Sequence, residues 1–136
     1  MTDDARRANV AREVGRGREA LRAAHALVGL GLHADAISRA YYAAFHFVLA
    51  LLFSRGVEPR SHAGAMHLLN IELVRTGVLA SSHNRLLGGL QRARELADYD
   101  SAVVFGEPDA SALVSDANAF EREAVAILQR EGWLGA

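Results

Sequence analysis

A chain of 136 residues, 51% of them hydrophobic, is expected to form one domain, residues 1–136, around a real core. It contains no cysteine, which excludes disulfide scaffolds, thiolate zinc sites and cysteine nucleophiles. Its 15 basic residues are all arginine against 16 acids, a net charge of −1, which excludes a strongly basic nucleic-acid coat, Schiff-base lysines and a P-loop.

Ala, Leu, Arg and Glu dominate and only two prolines interrupt them, a composition that favours helix. The first segment runs from Asp3 to Leu30. Thr2 or Asp3 caps it, and Val10, Val14, Leu21, Ala24 and Val28 form one apolar stripe. Gly15 and Gly17 weaken its middle by up to ~1 kcal/mol each, and Gly29 and Gly31 end it. The second segment, from Asp35 to Gly56, is apolar on nearly every side, the pattern of a buried central helix or one shared with a partner subunit. The third, from Ser61 to Thr76, opens on Ser61 as N-cap and closes at Gly77. The fourth, from Ser82 to Val104, turns Leu86, Leu87, Leu90, Ala93, Ala97 and Val104 inward, and Gly106-Glu-Pro108 breaks it. The fifth begins with Asp109 or Ser111 as cap and ends at Gly132, with Leu113, Ala117, Phe120, Ala124, Ile127 and Leu128 as its stripe. Strand-like alternation, hairpin turns and internal repeats are absent. Short connections between long helices predict an all-α fold, an antiparallel up-down bundle of four long helices plus one short helix.

The opening residues are polar, and the longest apolar run, Phe47 to Phe53, is too short to span a bilayer. The expectation is a soluble cytoplasmic protein with no membrane partner. Residues 1–60 carry nine arginines and six acids, residues 61–136 six and ten, so a basic first helix and an acidic last helix attract each other.

The informative polar residues lie inside the second segment. Arg39, Tyr42 and His46 stand at i, i+3 and i+7 and share one face of the most apolar helix. A buried guanidinium needs an anionic partner, because an unpaired buried charge costs several kcal/mol. The fourth segment supplies one in Arg94-Glu-Leu-Ala-Asp98-Tyr99. The two clusters are expected to face each other, with Asp98 bonding Arg39, Arg94 or both. Such a network either fixes helix register or handles phosphate. In the second case two arginines clamp phosphate oxygens and His46 moves a proton, enough for RNA cleavage by the neighbouring 2′-hydroxyl. No His-x-x-x-His or Glu-x-x-His pair occurs, so no metal site or cofactor is expected. The remaining histidines read as solvated or capping.

The blocks Ser38-Arg-Ala-Tyr-Tyr-Ala-Ala-Phe-His46, Leu51-Leu-Phe-Ser-Arg-Gly56, Pro59-Arg-Ser-His62, Val74-Arg-Thr-Gly77 and Arg94-Glu-Leu-Ala-Asp-Tyr99 resemble a small bacterial and archaeal HEPN-domain family, from about residue 8 to residue 130. The resemblance implies a helical bundle that is commonly a homodimer. It also implies pairing with a minimal nucleotidyltransferase in a toxin–antitoxin system, in which the HEPN member is often a ribonuclease and one of its tyrosines, here Tyr99, is a target for AMP. Arg39 and His46, with six intervening residues, fit the Arg-then-His signature of HEPN ribonucleases. That signature usually lies on a late helix, where this chain has Arg94, Asp98 and Tyr99 but no histidine. Two functions follow: a metal-independent endoribonuclease using Arg39, His46 and Arg94, or a non-catalytic dimeric module in which Tyr42, Asp98 and Tyr99 form a structural or nucleotide-binding network.

Overall fold

In a computed structural model describing residues 1–135, the chain folds as α1 (Asp3–Gly29), α2 (His33–Ser54), α3 (His62–Leu69), α4 (Ser81–Tyr99) and α5 (Glu107–Arg130), with no strand among the described residues. This is the predicted all-α bundle, four long helices and one short. Helix starts follow cap chemistry. Thr2 Oγ1 accepts the Ala5 N–H at 3.0 Å and Ser61 Oγ accepts the Gly64 N–H at 2.9 Å. Helix α2 stops where Gly56 turns to a φ of 72°, which brings the Val57 N–H to the Leu52 carbonyl at 3.0 Å.

Three boundaries differ from the sequence reading by more than two residues. Helix α4 ends at Tyr99, five residues early, because Asp100 turns extended and its carboxylate accepts the Ala102 N–H at 3.0 Å. Val104, predicted inward, is therefore 89% exposed. Helix α5 is capped at Gly106 rather than at Asp109 or Ser111. Pro108 fits its first turn, where a missing N–H costs nothing, and the Asp109 carboxylate reaches back to the Gly106 N–H at 3.0 Å. Helix α3 stops at Leu69 and passes into a π turn, Asn70–Val74, closed by the Arg75 N–H on the Asn70 carbonyl at 2.8 Å.

Side-chain pairs fix the directions. Arg6 meets Gly56 just past the end of α2 and Gly17 meets Phe47, so α1 and α2 are antiparallel. Ser38 meets Asp98 and Tyr41 meets Arg94, so α2 and α4 are antiparallel. Arg7 bonds the Gly132 carbonyl, Arg18 bonds Glu121 and His25 bonds Asn118, so α5 runs against α1. The Arg18–Glu121 pair, at 3.3 Å, joins the basic first helix to the acidic last one.

The centre is α2. Ala40, Ala43, Phe47, Val48, Ala50, Leu51 and Leu52 are fully buried against Val10 and Ala24 of α1 and Phe120, Ala124 and Ile127 of α5. By length and composition α2 would suffice to cross a membrane, but two-thirds of its apolar window is buried inside the bundle. It is the core helix. Gly17, read from sequence as a weak point, is the seat of the Phe47 ring: a Cβ there would stand 2.7 Å from Phe47 Cζ.

Candidate functional site

The polar face of α2 meets two different neighbours. On the α1 side, His46 Nδ1 lies 2.7 Å from Glu13 Oε2. Glu13 is buried because it falls on the inner stripe of α1 between Val10 and Val14. A carboxylate on Nδ1 fixes the ring and makes Nδ1 the N–H donor, which leaves Nε2 for acid–base work. Nε2 has no hydrogen-bond partner among the described residues. His46 lines an open pocket of about 390 Å³ with Arg16, Glu19, Ala20 and Ala23 of α1 and Arg39 of α2. Arg39 is exposed, not buried as expected. Its guanidinium lies 4.9 Å from the Tyr42 ring centroid, a stacked cation that keeps its donors in water.

On the α4 side, Arg94 is half-buried and its guanidinium faces all three tyrosines of the chain, 4.8 Å from the Tyr41 centroid, 5.8 Å from Tyr42 and 5.9 Å from Tyr99. Asp98 Oδ2 stands 3.7 Å from Arg94 and Asp98 Oδ1 accepts the Ser38 hydroxyl. Arg94 Nε is buried without a partner. Burial alone lowers the pKa of the Arg94 guanidinium, but Tyr42, Tyr41, Tyr99 and Asp98 outweigh it and hold the charge above the usual arginine range.

Burial pushes the Tyr41 phenol up, and Arg94 opposes this in part. The Tyr41 hydroxyl lies 3.0 Å from His62 Nδ1, and the His62 ring stacks on Phe45 at 4.1 Å. In an alkaline titration followed by phenolate absorbance, one of the three tyrosines is expected to ionise late, and Tyr41→Phe should delete that phase. The native state keeps this phenol neutral, so its contribution to stability is complete below the ordinary phenol pKa of about 10 and is lost as pH rises through the raised value. A titration with three ordinary phenols would contradict the burial.

The structure thus brings Arg39, Tyr42 and His46 onto one face and joins Tyr42, Arg94, Asp98 and Tyr99 into one cluster. Arg39 and Arg94 both lie against the Tyr42 ring. Arg94 does not line the His46 pocket, and it faces a separate hollow of about 680 Å³ with Arg92, Leu96 and Tyr99. Asp98 bonds Ser38 and Arg94 but not Arg39, whose guanidinium is exposed and stacks on the Tyr42 ring instead. Sequence reasoning missed Glu13 and His62. Glu13 was signalled by a charge inside an apolar stripe, while His62, read as solvated or capping, carried no signal for its contact with Tyr41.

A family model described as HEPN domain matches residues 12–128. A Methanocaldococcus jannaschii protein named "Putative toxin" is 32% identical over 102 residues, 75% of each chain. A second protein of that archaeon with the same name is 28% identical over 85 residues, 62% of this chain and 58% of the relative. A Thermotoga maritima protein named "UPF0332 protein" is 30% identical over 86 residues, 63% of this chain and 65% of the relative. The matched span contains both polar clusters and every helix of the bundle in whole or in part, and on that ground the chain belongs to the HEPN domain family.

Proposed function

We propose that this HEPN protein is the toxin-like member of a toxin–antitoxin pair and cuts RNA in the cytoplasm without a metal ion. The observation that carries the reading is the carboxylate-held imidazole of His46, which shares a pocket with the stacked guanidinium of Arg39. His46 Nε2 exchanges a proton with a ribose oxygen, and Arg39 stabilises the charge that builds on the phosphate oxygens. The names of the two M. jannaschii relatives support the toxin part. A homodimer and a nucleotidyltransferase antitoxin complete the proposal. Leu96, Tyr99 and Val104, exposed on α4 and just beyond it, offer apolar surface for either.

The test is cleavage of RNA by the purified protein in the presence of a chelator. The expected products carry 2′,3′-cyclic phosphate and 5′-hydroxyl ends, and His46→Ala should lower the rate by about 10²–10⁴-fold. Undiminished cleavage by His46→Ala would overturn this mechanism. A second reading, a non-catalytic nucleotide-binding or partner-docking dimer, is favoured by the position of Arg94, held by three tyrosines outside the His46 pocket. Protein that never cuts RNA yet co-purifies with a nucleotidyltransferase would select it.

A further inference from the structure

Among the described residues six large apolar side chains are exposed, and five of them, Leu30, Leu32, Leu96, Tyr99 and Val104, stand at one end of the bundle. Packing defines that end. Leu27, Ile37, Ala97, Phe105 and Ala110 meet there in a small cluster, drawn from the close of α1, the start of α2, the close of α4 and the approach to α5. Single exposed leucines are ordinary on a protein surface. Here they are gathered on two connections, Gly29-Leu-Gly-Leu32 and Ala102-Val-Val-Phe105, where polar residues are the usual choice. Leu30 is 72% exposed and Val104 89%.

The same end is acidic. Residues 25–38 and 95–110 build it, and they hold Asp35, Glu95, Asp98, Asp100, Glu107 and Asp109 but none of the 15 arginines. The arginines at its border, Arg39 and Arg94, are turned onto the tyrosines. Asp35, Glu107 and Asp109 lie in the first turns of α2 and α5, where the helix dipole favours an acid. Glu95, Asp98 and Asp100 lie at the close of α4, where the dipole disfavours one and the last turn holds no basic residue. Arg94 answers Asp98 alone. Acids in this place cost the free chain stability, and a cation brought from outside recovers it.

Charge also decides what covers the end. RNA is a polyanion and is repelled. A second copy joined end to end across a two-fold axis would set these carboxylates against their own images. A second copy joined through the arginine-rich start of its α1 would leave a free end on each chain, a contact that grows rings or filaments. A homodimer through another face is untouched by this argument.

We propose that this end of the bundle docks a different protein, through a surface of that protein that is basic around an apolar centre. Leu30, Leu32 and Val104 enter the dry middle of the contact, and the carboxylates form its rim. On the toxin–antitoxin reading above, that protein is the antitoxin. The inference rests on the partner in that reading and not on ribonuclease chemistry.

The test uses labelled helical peptides as probes: an amphipathic peptide of leucine and lysine, its leucine–glutamate counterpart, and a serine–lysine version. Only the leucine–lysine peptide should bind full-length wild type by fluorescence anisotropy, and added salt should weaken it. Amide exchange should slow around residues 27–32 and 102–106 and nowhere else. Leu30→Ser with Val104→Ser, and separately Glu95→Gln with Asp100→Asn, should each weaken binding by about tenfold or more. All four side chains are exposed, so these variants fold, and a thermal melt matching wild type verifies it. Binding that maps elsewhere, or that survives both double variants, overturns the proposal. So does a sedimenting dimer that Leu30→Ser with Val104→Ser splits into monomers, because a second copy then covers this end. Wild type that cuts RNA but shows no binding at this end leaves the ribonuclease reading standing without the docking surface. Mapped binding by a wild type that cuts no RNA supports the docking surface and removes only the ribonuclease.

Discussion

Replacing Phe47 with alanine is expected to destabilise the protein by about 3–5 kcal/mol, read as a fall in the urea midpoint at unchanged slope. Phe47 is fully buried at the middle of α2, and its ring sits over Gly17 of α1. Its removal leaves a cavity between two helices already pinned together at Glu13 and His46, so little collapse is available to fill it. Gly17 supplies the control. Alanine at position 17 gains up to ~1 kcal/mol of helix propensity. Against that, its Cβ would stand 2.7–3.0 Å from three atoms of the Phe47 ring, which is tightly packed. Over-packing of this kind costs about 1–3 kcal/mol, so the steric effect wins and Gly17→Ala destabilises. In the Phe47→Ala background the sign should reverse, because the clash is gone and the propensity gain remains. Additive effects of the two substitutions would show that the ring and the glycine do not meet.

Glu13→Gln is expected to lower RNA cleavage by about 10²–10⁴-fold while leaving the fold intact, measured as single-turnover rate beside a thermal melt. Glutamine keeps the size of the side chain and presents an amide where the carboxylate stood. The amide either offers its NH₂ group to Nδ1, which stabilises the wrong imidazole tautomer, or offers a neutral oxygen that supports the imidazolium less. The carboxylate touches no substrate, so Glu13 is a positioning residue. A purely structural Glu13 would lower the melting temperature with the rate unchanged, which would break the proposed link between α1 and the chemistry.

The architecture was legible because the strongest signals were local. Helix α2 is apolar on nearly every side, Thr2 and Ser61 are good caps, and Gly132 stops α5, each readable within a few residues. The end of α4 was not legible because Val104 keeps helical spacing with Ala97 and Ala93. Only the Asp100 side chain, bonding its own turn, decides the matter. The π turn at Asn70–Val74 has no composition that marks it. Within the site, the shared face of Arg39, Tyr42 and His46 followed from spacing alone. The partners did not, because spacing says nothing about what lies across a helix pair. Of the partners expected for Asp98, Arg39 and Arg94, it takes only Arg94, together with the hydroxyl of Ser38. The anion that matters for His46 came from Glu13 on the first helix, in a stripe read as apolar.

The helices contribute unequally to the interior. Fourteen residues of α2 are buried, whereas α4 buries only Leu87 and Leu90, both in its first half. The second half of α4 is fastened to the rest by the partly buried Ala93 and Ala97 against Ala36, Ile37 and Ala110, by the Ser38–Asp98 bond and by Arg94 against the tyrosines. Such contacts are worth about 1 kcal/mol each, small beside a global stability of about 5–15 kcal/mol. That half of α4 is therefore held by a few small contacts, and opening it costs a fraction of the energy needed to melt the bundle. An anion that competes for Arg94 weakens one of these contacts, and the wedge of α1, α2 and α5 does not have to yield.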